Sequence, residues 1–279
     1  MDVSSVGTTA VLTAQMRALE SSRPDRLFQD DLAGQLVRAT NTGINQITLE
    51  QVTGQRVYES LAVRTRWLDE RFEQHVGIDN PLVQQIVLLG AGLDTRALRL
   101  GWLGRGVEVY EVDRGDVVDL KSRELRREHT EHWHGVTADL TDRGWVNDLL
   151  GSGFDATVAT LWLAEGLFMY LSEVDNQSLL RDVEHLSAPG SHLLAVHFGR
   201  GALIDAETQA MSAAVASNGY GFESAIETSP QQWLGSRWGV DTALSIAQYA
   251  PALGRKLPYD EVALGAELTW MVDAEYRPR

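Results

Sequence analysis

The segment Gln85-Ile86-Val87-Leu88-Leu89-Gly90-Ala91-Gly92-Leu93-Asp94-Thr95-Arg96 constrains the fold more than any other part of the chain. Residues 86–89 are continuously apolar, as a parallel strand covered on both faces should be, and Gly90 and Gly92 permit a sharp turn and close approach of a ligand to the backbone. Asp94 is suited to cap a helix that follows. Strand, glycine turn and helix start, in that order, form the ligand-binding edge of a doubly wound α/β sheet.

The next strand, 107–112, runs into Asp113, 23 positions after Gly90, where such sheets hydrogen-bond ribose hydroxyls. Thr95 stands where a dinucleotide fingerprint has its third glycine, so a pyrophosphate site is not implied. From spacing alone two readings stay open: a nucleoside-bearing cofactor, or a structural turn followed by a strand-end carboxylate.

The rest of the chain alternates around this unit. Helices are expected at about 8–21, 30–38 and 55–74, and on the third Val57, Leu61, Leu68 and Phe72 form an apolar stripe that includes Arg64. An inward guanidinium needs a buried anion or must snorkel to the surface. Further on, the pattern predicts helices at 95–100, 116–128, 145–150 and 173–186, with strands at 135–138, 156–163 and 191–198. Ser172 and Asp175 open the helix at 173–186, which is expected to present Val174, Leu179, Val183 and Leu186 to the core. Residues 200–236 break the rhythm as a helical lid insertion, before a helix near 242–249 and a last strand near 267–275. The organisation expected is a helical N-terminal extension over 1–80 and a ligand-binding α/β domain over 81–279.

Composition narrows the partners. A formal charge of −15 over 279 residues opposes general affinity for nucleic acid or an anionic membrane. The absence of cysteine excludes disulfides, thiolate metal sites and cysteine nucleophiles. No stretch approaches a membrane span and the N-terminus lacks a signal-peptide pattern, so a cytoplasmic protein is expected. The run His129-Thr130-Glu131-His132-Trp133-His134 supplies three imidazoles, but neither helix nor strand geometry converges all three, and no metal is expected there.

At Arg64, Gly90-Ala91-Gly92-Leu93-Asp94-Thr95-Arg96, Glu111-Val112-Asp113, Asp139-Leu140 and Glu165-Gly166-Leu167-Phe168-Met169-Tyr170-Leu171, the chain resembles the leucine carboxyl methyltransferase family, in particular its bacterial branch with polyketide O-methyltransferases of the tetracenomycin type. The resemblance implies a class I methyltransferase sheet, Rossmann-like and seven-stranded, mostly parallel with its last strand antiparallel, and S-adenosylmethionine as cofactor. It implies that Arg64 pairs with the methionine carboxylate, Gly90, Ala91 and Gly92 floor the cofactor, and Asp113 accepts from the ribose hydroxyls. Asp139 and Leu140 would flank the adenine, Glu165 would face the amino or sulfonium region, and Arg17 would match a second basic residue on the cofactor carboxylate. Arg114-Gly115 departs from the aspartate-x-proline of relatives at this turn.

The acceptor is expected to be a small molecule methylated on a carboxylate or hydroxyl in secondary, polyketide-like metabolism. A carboxylate needs no base at pH 7, whereas a hydroxyl can need one, which makes His197 at a strand end a candidate catalytic base. Tyr170 and Tyr220 are candidate acceptor contacts, and Trp162, Phe168, Phe222 and Trp233 could stack a ring. The alternatives are C- or N-methylation of an aromatic product, cofactor binding without catalysis, and a nicotinamide oxidoreductase, the last opposed by Thr95 and the lack of a Tyr-x-x-x-Lys pair. Oligomeric state is not legible.

Overall fold

The computed structural model describes residues 7–40, 42, 44–77, 83–125, 130–216 and 221–278. Four helices come first: α1 (Thr8–Ser21), α2 (Asp31–Thr40), α3 (Leu49–Val52) and α4 (Arg56–His75). The alternating part follows as β1 (Gln85–Leu89), α5 (Arg96–Arg99), β2 (Glu108–Asp113), α6 (Gly115–Glu124), β3 (Trp133–Thr137), α7 (Trp145–Gly151), β4 (Thr160–Glu165), α8 (Glu173–His185) and β5 (His192–Phe198). Then come α9 (Ala206–Ala216), α10 (Pro230–Leu234), β6 (Trp238–Ser245), α11 (Ile246–Tyr249), α12 (Glu261–Leu264) and β7 (Thr269–Tyr276).

The seven strands form one sheet in the order β3-β2-β1-β4-β5-β7-β6, a seven-stranded, mostly parallel sheet of the kind the family resemblance implies. β1 to β5 pair in parallel, and β7 runs antiparallel to both neighbours, β5 and β6. The chain leaves β1 toward β2 and β3, then returns to place β4 on β1's other side. That reversal opens a crevice at the carboxyl ends of β1 and β4, the topological switch point where open α/β sheets bind ligands.

Apolar strands explain why both faces are covered. On one face Ile86, Leu88, Leu161 and Leu163 pack against Val63, Trp67, Leu68 and Phe72 of α4. On the other, Val87, Trp162, Leu193 and Ala195 meet Leu179 and Val183 of α8 and Trp233 of α10. A third cluster joins α1 and α2 to α6 through Val11, Ala14, Leu36, Val37, Val117 and Leu120. The N-terminal helices are thereby fixed over the sheet's ligand-binding edge.

Three local expectations differ. β4 begins at Thr160 rather than 156, because the Asp155 carboxylate accepts from Thr157 N at 2.9 Å and Thr157 Oγ1 at 2.7 Å and closes a turn. Val174 is 76% exposed, not core-facing, because five residues separate it from buried Leu179, a rotation of about 140° around the helix. Residues 242–245 are strand, not helix: they pair with β7, and an irregularity between Val240 and Thr242 breaks the alternation that would have signalled a strand.

Candidate functional site

A cavity of about 1130 Å³ lies over the carboxyl ends of β1 to β5, bounded by α1, α3, α4 and α9. Ligand pockets run to about 1,000 Å³, so this one has room for two small molecules together. Gly90, Ala91 and Gly92 form part of its floor, and Arg17, Arg64, Asp113, Asp139, Leu140, Glu165 and Tyr170 also line it.

The floor is built by the turn after β1. Gly90 and Gly92 adopt φ of 65° and 49°, in the left-handed region that other residues avoid. Gly90 N donates to Val112 O at 2.9 Å, which ties the turn to β2. At the end of β2, Asp113 Oδ2 accepts from Gly92 N at 2.6 Å and Oδ1 from Arg114 N at 2.7 Å. Each oxygen keeps a further lone pair for a ligand. Burial pushes the Asp113 carboxyl above its ordinary pKa, with the two amides offsetting part of that rise. After β3, Asp139 Oδ1 accepts from Thr141 N at 2.9 Å and Thr141 Oγ1 at 2.7 Å, and these bonds hold it below the ordinary carboxylate range.

One wall is ionic. Glu165, the last residue of β4, takes Arg64 Nε on one oxygen and Arg96 Nη1 on the other, each at 2.8 Å. Burial would raise its pKa, but the charges of Arg96 and Arg64 outweigh it and hold the carboxyl low. The inward Arg64 thus has a protein anion as partner, and only its Nε is engaged among the described residues. Arg96, 2% exposed, also binds Asp69 Oδ1 at 2.9 Å and the Asp94 carboxylate. Asp94 in turn accepts from Arg96 N, at the first residue of α5, at 2.7 Å; the N-cap position is Thr95, which makes no side-chain cap.

The network continues outward. Arg99 Nη1 reaches Asp69 Oδ2 at 2.7 Å, and Asp30 accepts from Arg17 Nε at 2.9 Å and Thr95 Oγ1 at 2.7 Å. Arg17 Nη2 donates to Leu93 O at 2.6 Å, locking α1 onto the glycine turn. Sequence reasoning gave no role to Arg96, Asp69 or Asp30. They lie in different helices and loops, and no local period marks charges that meet only after folding.

The other half of the cavity is apolar. Tyr170 and Phe198 both pack on Phe222, with ring centroids 5.4 and 4.8 Å apart, and Met211 of α9 contributes to the lining. Burial raises the pKa of the Tyr170 hydroxyl above its ordinary value. At the far end Ser60 Oγ lies 3.2 Å from the Tyr259 hydroxyl, whose pKa burial pushes up to about 12. Phe198, Met211, Ser60 and Tyr259 escaped sequence reasoning, while Tyr220 lies outside the described residues.

Several expected contacts are not brought to the cavity. Trp162, Phe168 and Trp233 are buried in the core between the sheet and α8 and α10, and none of them lines the cavity. His197 joins them, fully buried, with ring centroids 5.3 Å from Trp233 and 5.8 Å from Phe168. It shares its face of β5 with Leu193 and Ala195, whereas Phe198 lines the cavity. Burial pushes the imidazole down to about pKa 3, and neither ring nitrogen has a hydrogen-bond partner among the described residues. It is not placed to deprotonate an acceptor. In the histidine-rich run, His132 Nδ1 and His134 Nε2 approach the two oxygens of Glu108 at 2.8 and 2.7 Å, and His129 lies outside the described residues.

The sequence profile of the leucine carboxyl methyltransferase family matches residues 10–184. The chain belongs to that family. A relative from Parafrankia sp. named as an S-adenosyl-L-methionine-dependent methyltransferase is 42% identical over 196 residues, 67% of this chain and 62% of the relative. One of the same description from Mycobacteroides abscessus is 35% identical over 277 residues, covering 92% of this chain and 90% of the relative. A crystal structure described as a methyltransferase from Thermobifida fusca superposes with a TM-score of 0.61 at 15% identity, covering 95% of this chain and 94% of the other, which establishes a shared fold. As a member of this family the protein is an S-adenosylmethionine-dependent methyltransferase. Among the described residues no helix is long and apolar enough to cross a membrane.

Proposed function

We propose that this methyltransferase forms the methyl ester of an apolar small-molecule carboxylic acid, of the kind met in secondary, polyketide-like metabolism. The observation that carries the reading is the composition of the cavity wall. Among the described lining residues there is no histidine or lysine, and the chain has no cysteine. The lining carboxylates, Asp94, Asp113, Asp139 and Glu165, are all engaged by backbone amides, a hydroxyl or arginines on the polar side. Tyr170 and Tyr259 have raised pKa values and hold their protons. An alcohol or phenol would meet no base in this wall, whereas a carboxylate is already ionised at pH 7.

The residues present fit the methyl donor. Arg64 has terminal nitrogens to offer the methionine carboxylate, with Arg17 behind the turn. Gly90, Ala91 and Gly92 admit close backbone approach, Asp113 has lone pairs that would serve both ribose hydroxyls, and Asp139 and Leu140 would border the adenine. Glu165 would turn its negative charge toward the amino and sulfonium groups. When bound, S-adenosylmethionine supplies a methyl group on a positively charged sulfur. The protein's part is to align the acceptor behind that methyl and to exclude water, and Tyr170, Phe198 and Phe222 form an apolar wall suited to both tasks.

The test is methyl-labelled S-adenosylmethionine offered with apolar carboxylic acids and with matched phenols. Label in the acid products that mild alkali releases as methanol is expected. Label confined to alkali-stable phenol ethers would overturn the reading.

A further inference from the structure

We propose that His75, His192 and Asp273 form a binding site for a divalent transition-metal ion, separate from the methyl-transfer cavity. His75 is the last residue of α4, His192 the first of β5, and Asp273 lies within β7, so three distant stretches of chain converge. His192 is at the start of β5, the sheet edge opposite the cavity.

His75 Nε2 lies 3.0 Å from Asp273 Oδ2, and His192 Nδ1 lies 3.2 Å from Asp273 Oδ1. The two imidazole centroids are 4.0 Å apart, and one ligand atom from each residue falls within 4.8 Å of the others. A tetrahedral ion with nitrogen and oxygen ligands at 2.0–2.2 Å separates those ligands by about 3.3–3.6 Å. Small side-chain rotations therefore suffice to seat one. Two imidazoles and a carboxylate suit zinc or a neighbouring divalent metal and leave a position for water.

Charge supplies the second argument. The three side chains are only 7%, 12% and 4% exposed, and among the described residues the ion-pair partners of Asp273 are these two histidines, with no arginine or lysine. With both imidazoles neutral, the interior would hold a carboxylate without a counter-charge, an expensive arrangement. A divalent cation accepts a lone pair from each imidazole and neutralises the carboxylate. It would pin the end of α4, the helix that carries Arg64, to the β5–β7 pair.

The experiment titrates chelator-stripped protein with cobalt chloride and, separately, zinc chloride, reading visible d–d absorption for cobalt and thermal unfolding for both. The expected result is a cobalt band at one equivalent and a rise in Tm of roughly 5 °C at saturating metal. Both should be lost in Asp273→Asn and in His192→Ala and kept in His134→Ala, which removes a ligand from the half-exposed His132, His134 and Glu108 group. Binding of S-adenosylhomocysteine by each variant verifies that it is folded. The absence of a cobalt band from the wild type, or its loss in His134→Ala with retention in Asp273→Asn, would overturn the proposal.

Discussion

Replacing His197 by phenylalanine should leave methyl transfer intact and make the protein more stable. The imidazole is fully buried between Phe168 and Trp233, and its two nitrogens find no partner. A buried polar group without a hydrogen bond costs about 1–3 kcal/mol, and an apolar ring removes that cost. The larger ring recovers less than the full amount because slight overpacking costs about 1 kcal/mol. A net gain of up to about 2 kcal/mol corresponds to a Tm increase of up to roughly 8 °C for a chain of this size.

The pH dependence sharpens the expectation. The imidazole pKa falls from 6.5 to about 3 in the folded protein, so the unfolded chain binds the proton more readily. The stability associated with the neutral ring is present above pH 6.5 and is lost as pH falls toward 3. His197→Phe should therefore show its largest stabilisation in mildly acid buffer. Thermal unfolding from pH 7 to 4, with methyl-transfer rates at pH 7, measures both. A more than tenfold loss of rate in a variant that still folds and binds S-adenosylhomocysteine would refute the placement of His197 outside the chemistry.

Asp113→Ala would remove the proposed acceptor for two ribose hydroxyls. At about 1.5–3 kcal/mol per charge-assisted bond, S-adenosylhomocysteine should bind roughly 10²- to 10⁴-fold more weakly by calorimetry. Glu165→Gln keeps the shape but removes the charge between Arg64 and Arg96, so Tm should fall and affinity for S-adenosylmethionine should drop by at least about tenfold. Unchanged Tm and affinity would remove Glu165 from the account.

Much of the cavity floor was legible because its signals are local. Apolar strands, glycines with positive φ and an acid at a strand end all fall within 29 residues, from Gln85 to Asp113. The inward position of Arg64 followed from helical spacing, although its protein partner, Glu165, came from a strand 101 positions away. The Arg96, Asp69 and Asp30 network had no such local mark. His197 was misplaced because β5 is apolar on both faces, and a strand without alternation does not say which side each residue takes. The apolar wall draws Phe198, Met211, Phe222 and Tyr259 from separate segments, and only their meeting in space makes a pocket.

A crystal structure of the protein with S-adenosylhomocysteine tests the central claim most directly. The account expects the adenosyl group over Gly90 to Gly92, both ribose hydroxyls on Asp113, the adenine beside Asp139 and Leu140, and the carboxylate on Arg64. A ligand bound elsewhere, or bound in this cavity with its ribose away from Asp113, would contradict it.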